Sequence, residues 1–238
     1  MAHYLPDLAQ LRNPRHVKAL LAACQALGVS LRPGCPVFRF QRKGSRILAA
    51  ETGAGSIAAK QFLLAAGAWT GALLEPFGIR PQIRPVRGQI ALLNTGVPRL
   101  RHVISAALRY VVPRADGRVL VGSTEEDAGF EKRTTAEAIQ GLLAFAIDLV
   151  PTLATAHLEQ SWAGLRPGSP DGLPFLGAVP EAENLYVAAG HFRAGIQLSP
   201  ATAQVMKELL QGRKPAISLE PFRLDRAPAG RQRVAFRS

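Results

Sequence analysis

Residues 61–66, Gln-Phe-Leu-Leu-Ala-Ala, form a compact apolar run without alternation, and the run ends at Gly67. Such a run is expected of a strand buried on both faces of a sheet, which needs cover on each side. Trp69 and a short helical stretch to Glu75 come next. Strand, glycine, helix is the order that presents backbone to a ligand at the carboxyl end of a sheet. Asn184–Ala189 reads as a second buried strand. With 238 residues, 47% of them hydrophobic and 19% charged, the chain can bury a sizeable core in one or two domains.

The rest of the chain is read from periodicity and turn chemistry. Asn13–Leu27 is expected to be an amphipathic helix, capped by Asn13, with Pro14 in its first turn and Gly28 stopping it. Its apolar stripe is Val17, Leu20, Leu21, Cys24 and Leu27. Pro36–Phe40, Arg46–Ala50 and Ser56–Lys60 are short extended pieces, separated by Lys43-Gly44 and Thr52-Gly53, and imply a β-meander. Arg84–Leu93 and Tyr110–Ser123 carry strand patterns, the second a hairpin turning at Asp116-Gly117. Thr135–Asp148 is a helix with Ala138, Ile139, Leu142, Leu143 and Phe145 on its apolar side. Ser199–Leu210 is a closing helix with Pro200 at its first position. The fold class is therefore α/β at both ends with antiparallel β between.

Several function classes are disfavoured. Gly53-Ala54-Gly55-Ser56-Ile57-Ala58 satisfies GxGxxA, but a phosphate loop needs a strand before it and a helix after it. The residues after it read as an extended segment, so a hairpin turn is the expectation. Cys24 and Cys35 lack CxxC or Cys/His spacing and read as free thiols, and no metal site is expected. No apolar stretch approaches the ~20 residues of a membrane span. No secretory signal is visible, so the cytoplasm is the expected location. The formal net charge of +12 is mostly scattered arginine, densest in the tail 213–238, where seven Lys/Arg stand against Glu220 and Asp225. A solvated basic surface is the expectation, and nucleic acid is not an expected partner.

Two segments are dense enough to carry chemistry. The first, 161–177, reads Ser-Trp-Ala-Gly-Leu-Arg-Pro-Gly-Ser-Pro-Asp-Gly-Leu-Pro-Phe-Leu-Gly. The second, 189–201, reads Ala-Gly-His-Phe-Arg-Ala-Gly-Ile-Gln-Leu-Ser-Pro-Ala, a strand end, a glycine-bounded turn and a helix start. Backbone amides at such a turn can receive an anion or an electron-rich ring edge. Arg166 and Arg193 stand beside these turns as candidates for bidentate carboxylate binding.

These segments resemble the closing signature of the D-amino-acid oxidase superfamily, and most of all its glycine oxidase branch. Other stretches agree in order: Asn13-Pro-Arg-His-Val-Lys-Ala-Leu, Leu64-Ala-Ala-Gly-Ala-Trp, Arg84-Pro-Val-Arg-Gly-Gln, Tyr110-Val-Val-Pro-Arg, Gly122-Ser-Thr-Glu and Phe222-Arg-Leu-Asp-Arg. The resemblance covers roughly residues 8–226. It implies a partial FAD-binding Rossmann-like domain joined to an antiparallel β-sheet substrate domain. The expected division is 1–83 FAD-binding, 84–165 substrate-binding, 166–212 returning to the FAD-binding domain, and 213–238 a basic tail. It also implies an amino-terminal truncation, because relatives begin with a strand and GxGxxG loop.

The resemblance further implies residue roles. Arg166 would pair with a substrate carboxylate, Tyr110 would donate its hydroxyl to it, and Arg193 would lie near the substrate in the flavin-facing turn. His191, Phe192, Arg193, Ala194, Gly195, Ile196 and Gln197 would hold the isoalloxazine of FAD, with Val37 and Gly67 on the adenosine side. The implied reaction is hydride transfer from the Cα–H of glycine or another small amino acid to flavin N5. Dioxygen would reoxidise the flavin to give hydrogen peroxide, and the imine product would serve thiamine thiazole synthesis. No catalytic general base is expected. The expected partners are a small amino acid and O2, with a homo-oligomer left open. Plain structural alternatives stand beside each role. Arg166 could pair with Asp171 or Glu125, Tyr110 could be a core-edge residue, and His191 could serve its backbone. Trp69 and Trp162 could simply pack, and Arg193 could contact only solvent or phosphate. The alternative functions are a D-amino-acid dehydrogenase, or an inactive fragment whose basic tail contacts polyanions.

Overall fold

A computed structural model of the chain describes residues 3–7, 9–98 and 100–226. The tail expected at 213–238 is therefore described only as far as Arg226. In chain order the elements begin with α1 (Asn13–Ala26), β1 (Val37–Lys43), β2 (Arg46–Thr52), β3 (Gly55–Ala58), β4 (Phe62–Leu64) and α2 (Thr70–Leu74). The central strands are β5 (Arg84–Asn94), β6 (Ile104–Ala106), β7 (Arg109–Pro113) and β8 (Arg118–Gly122). They are followed by α3 (Ala136–Leu149), β9 (His157–Gly168), β10 (Phe175–Ala178), β11 (Leu185–Ala189) and α4 (Gly195–Leu210).

α1 forms where the pattern requires, but Asn13 does not cap it. The carbonyl of extended Arg12 accepts from the Arg15 and His16 amides and opens the helix, placing Asn13 inside its first turn. No residue of α1 is buried, and Val17, Leu20 and Leu21 stand exposed. The three strands after it form the expected antiparallel meander, in the order β1-β2-β3. The GxGxxA stretch is the β2–β3 hairpin: the Thr52 hydroxyl donates to the Gly55 carbonyl at 2.6 Å and accepts from the Ala54 amide at 3.2 Å.

The second sheet has the order β10-β11-β4, with β4 parallel to β11. The strand expected at 61–66 is thus present but shorter, and it lies at an edge. Side chains alternate across it, so Leu64 enters the core while Leu63 is 43% exposed. Burial on both faces fails for this reason. Asn184, itself buried, fastens the meander to this sheet: its side chain accepts from the Ile47 amide (2.8 Å) and donates to the carbonyls of Ile47 (2.9 Å) and Lys60 (3.0 Å). One apolar core, including Ile47, Leu64, Leu74, Phe175, Leu185 and Val187, fills the space between these elements.

The third sheet, β6-β7-β8-β5-β9, is antiparallel throughout. The period of two sends Ala91, Leu93, Val111, Val119 and Val121 to one face, where Leu142 and Ala146 of α3 close a second core. Thr135 caps α3 by accepting from the Ala138 amide, and its own amide donates to buried Gln89 at 2.8 Å. β9 was not expected as a strand. Gly164, Pro167 and Gly168 gave 157–168 a turn-like composition, yet it pairs with β5 along its length. The boundary expected between 165 and 166 falls inside this strand.

α4 starts at Gly195, four residues before the expected Ser199, and contains Pro200 in its interior. Pro200 has no N–H for the Ile196 carbonyl four residues back. The Ser199 hydroxyl donates to that carbonyl at 2.8 Å instead, which satisfies it and lets the helix run through. Cys24 and Cys35 are free, as expected.

Candidate active site

The β5–β9 register pairs Val86 with Arg166 and Gly88 with Gly164, and the β7–β8 register pairs Tyr110 with Gly122. Ile90 pairs with Gly122, so all these positions share the face of the sheet turned away from α3. Two of the glycines are occupied from above. A Cβ on Gly88 would stand 2.6 Å from Cζ of Arg166, and one on Gly122 would stand 2.7 Å from Cζ of Tyr110. The glycines clear the sheet so that a guanidinium and a phenol ring can lie across it. Glycine inside a strand marks such close approach, and that was the readable signal for both.

Arg166 is half-buried and held by Nη2 donating to the Ser123 hydroxyl at 2.6 Å and Nη1 to the Thr124 carbonyl at 3.2 Å. Neither partner carries charge. The two carboxylates that could have neutralised it are engaged elsewhere, Asp171 with Arg226 (2.8 Å) and Glu125 with Arg193. Among the described residues no carboxylate forms an ion pair with Arg166. Burial pushes its guanidinium below its ordinary value, Tyr110 and Glu125 opposing this and Arg193 adding to it. An uncompensated, partly desolvated cation of this kind is set to accept an external carboxylate.

Gly88→Ala tests this arrangement. The clash is with the far end of a flexible side chain, which can move, so stability should change little. Displacing the guanidinium should nevertheless weaken carboxylate binding roughly tenfold or more. Chemical denaturation together with ligand titration separates the two effects.

Beside this face lies a cavity of about 940 Å³, walled by the 168–174 segment and the turn before α4. His191, Phe192, Arg193, Ala194 and Gln197 line it; Gly195, Ile196, Val37, Gly67, Tyr110 and Arg166 do not. Gly190 and Phe192 both adopt left-handed backbone, turning the chain sharply. The Phe192 amide donates to the Pro167 carbonyl at 3.0 Å, which fixes the turn against β9 one residue from Arg166. His191 shares a 2.9 Å hydrogen bond with the Thr202 hydroxyl of α4, and burial lowers its pKa. It bonds a side chain rather than the backbone. Trp69, 46% exposed, lies against the Phe130 ring at 5.7 Å.

Sequence reasoning missed Ser123 and Thr124, which hold Arg166, and Ser169. Ser169 belongs to the cavity wall, and its buried hydroxyl has no hydrogen-bond partner among the described residues.

An antiparallel sheet with one open, arginine-bearing face, abutting a ligand-sized cavity at the amino end of a helix, is the arrangement of a small-molecule binding site. The chain belongs to the FAD dependent oxidoreductase family, whose model matches residues 1–209. It is 43% identical to the glycine oxidase of Pseudomonas putida over 231 residues, which are 97% of this chain and 62% of that protein. It is 38% identical to the bifunctional protein ThiO/ThiG of Synechocystis sp., over 91% of this chain and 33% of that protein. The crystal structure of glycine oxidase from Geobacillus kaustophilus superimposes with a TM-score of 0.86 at 35% identity, covering 92% of this chain and 59% of that one. The chain thus spans about three fifths of the glycine oxidases it matches. Among the described residues no helix is long and apolar enough to cross a membrane, and no group of His, Cys, Asp and Glu could hold a metal ion.

The cavity fits an isoalloxazine. Its volume suits a cofactor, and its walls are largely apolar around the Phe192 turn.

Proposed function

We propose that this chain forms the substrate-binding and flavin-facing part of an FAD-dependent oxidase of glycine or a comparably small amino acid, acting in the cytoplasm. The carrying observation is Arg166, a half-buried guanidinium held, among the described residues, by neutral partners on a cleared sheet face. Arg166 binds the substrate carboxylate, and Tyr110, crossing Gly122 on the same face, supplies a hydroxyl to it. Arg193 borders the reacting end, with Val37 and Gly67 assigned to the adenosine side. The turn His191–Gln197 would hold the ring system of the flavin. When bound, FAD supplies the hydride acceptor and passes the electrons to dioxygen, giving hydrogen peroxide. The chain's own residues orient the Cα–H and exclude water, so no protein general base is needed.

The likeness to glycine oxidases supports this substrate, and the likeness to ThiO/ThiG supports imine supply to thiamine thiazole synthesis. The two apolar cores support the division into an FAD-binding part (1–83 and 166–212) and a substrate part (84–165). A homo-oligomer belongs to the same proposal. The test is glycine-dependent peroxide formation under air by the FAD-loaded protein. Glycine-dependent quinone reduction without peroxide would establish a dehydrogenase instead. Salt-dependent nucleic-acid binding with no flavin retained would establish the polyanion-binding alternative.

A further inference from the structure

Three guanidinium groups stand at or beside the cavity: Arg84, its side chain 65% exposed and reaching Asp127 at 4.0 Å, and Arg166 and Arg193, which differ in one respect. Among the described residues Arg166 has neutral partners alone, whereas Arg193 is ion-paired with Glu125. The chain path brings the three together. Glu125 directly follows Thr124, whose carbonyl accepts from Arg166, and the Phe192 amide bonds Pro167 beside Arg166. Glu125 and Arg193 both line the cavity, with side chains 27% and 30% exposed. Both charges are felt at Arg166, Arg193 opposing its protonated form and Glu125 favouring it. A pair this accessible contributes little to stability.

We infer that Glu125 is a specificity-determining residue: by occupying Arg193 it keeps that guanidinium from a ligand, and it disfavours ligands that would set a second carboxylate there. The inference rests on the proposed function and names the substrate class within it. A second carboxylate approaching Arg193 must displace Glu125 or lie beside its negative charge, and like-charge juxtaposition is the repulsive element by which binding sites reject near neighbours. A monocarboxylate meets no such barrier. Glycine, with its single carboxylate, fits this requirement.

The experiment compares succinate with succinamate, which have the same length and differ by one charge. Both are titrated into the protein and followed by NMR. The parent should bind succinamate at least as well as succinate. In Glu125→Gln the freed Arg193 should favour succinate over succinamate by roughly tenfold relative to the parent. Adding Arg193→Gln should abolish that gain, which assigns it to the pair. Arg193→Gln alone, leaving the Glu125 charge uncompensated, should shift the ratio the other way. An unchanged ratio in Glu125→Gln, or a gain that survives loss of Arg193, overturns the inference. Peroxide formation from glycine with an unshifted ratio defeats the inference and keeps the proposed activity. The shifted ratio without peroxide does the reverse.

Discussion

Replacing Arg166 by alanine should raise the KM for glycine by about a hundredfold or more in the FAD-loaded protein. Losing one partner of a desolvated, hydrogen-bonded charge pair costs ~2–5 kcal/mol, and each ~1.4 kcal/mol is tenfold. Here the substrate would bring the only carboxylate that Arg166 meets, since Asp171 and Glu125 are committed to Arg226 and Arg193. Arg166→Lys should recover part of the loss, because a point charge replaces a planar fork. Steady-state peroxide assays with glycine as the varied substrate give both values. An unchanged KM in an active Arg166→Ala protein would exclude Arg166 as the carboxylate partner.

The second large effect is on stability. Arg226 donates to both oxygens of Asp171 (2.8 and 2.9 Å) and to the carbonyls of Leu173 (2.9 Å) and Pro174 (3.0 Å). Its guanidinium lies 3.7 Å from the centroid of Phe175. The two side chains are 11% and 8% exposed. Arg226→Ala would leave Asp171 charged and without its partner in the interior, and should cost about 3–5 kcal/mol in urea denaturation. The pH dependence has a definite sign. Burial alone would raise the Asp171 pKa, but the Arg226 bonds and the Leu173 amide outweigh it and hold the carboxyl below its ordinary value. A lowered folded-state pKa gives stability that is complete above the unfolded value of ~3.9 and is lost as pH falls through the folded one. As pH is lowered below ~3.9, denaturation midpoints should fall for the parent and much less for Arg226→Ala.

What was legible in the sequence came from strong periodicity or turn chemistry. α3, the meander, the Asp116-Gly117 hairpin and the strand at 185–189 all appear where pattern put them. β9 escaped because alternation cannot be seen through a run holding Gly164, Pro167 and Gly168, and its partner β5 lies over seventy positions away. The start of α4 escaped because proline is read as a helix opener, while the compensating Ser199 bond is visible only in three dimensions. For the site, residue types were legible and pairings were not. Arg166, Arg193, Glu125 and Asp171 all stood out as charges, but which carboxylate each arginine takes depends on contacts between distant segments.

The Arg226–Asp171 clasp has a consequence beyond stability. Asp171 belongs to the cavity wall, and its partner sits fifty-five positions further along the chain, near the limit of the described residues. Ordering of the wall and ordering of the 220–226 segment therefore share one free energy, and linkage between them is reciprocal. A ligand that stiffens the wall must slow hydrogen exchange at Phe222–Arg226. Anything that seizes the carboxyl-terminal segment must, by the same amount, alter how tightly the cavity holds its contents.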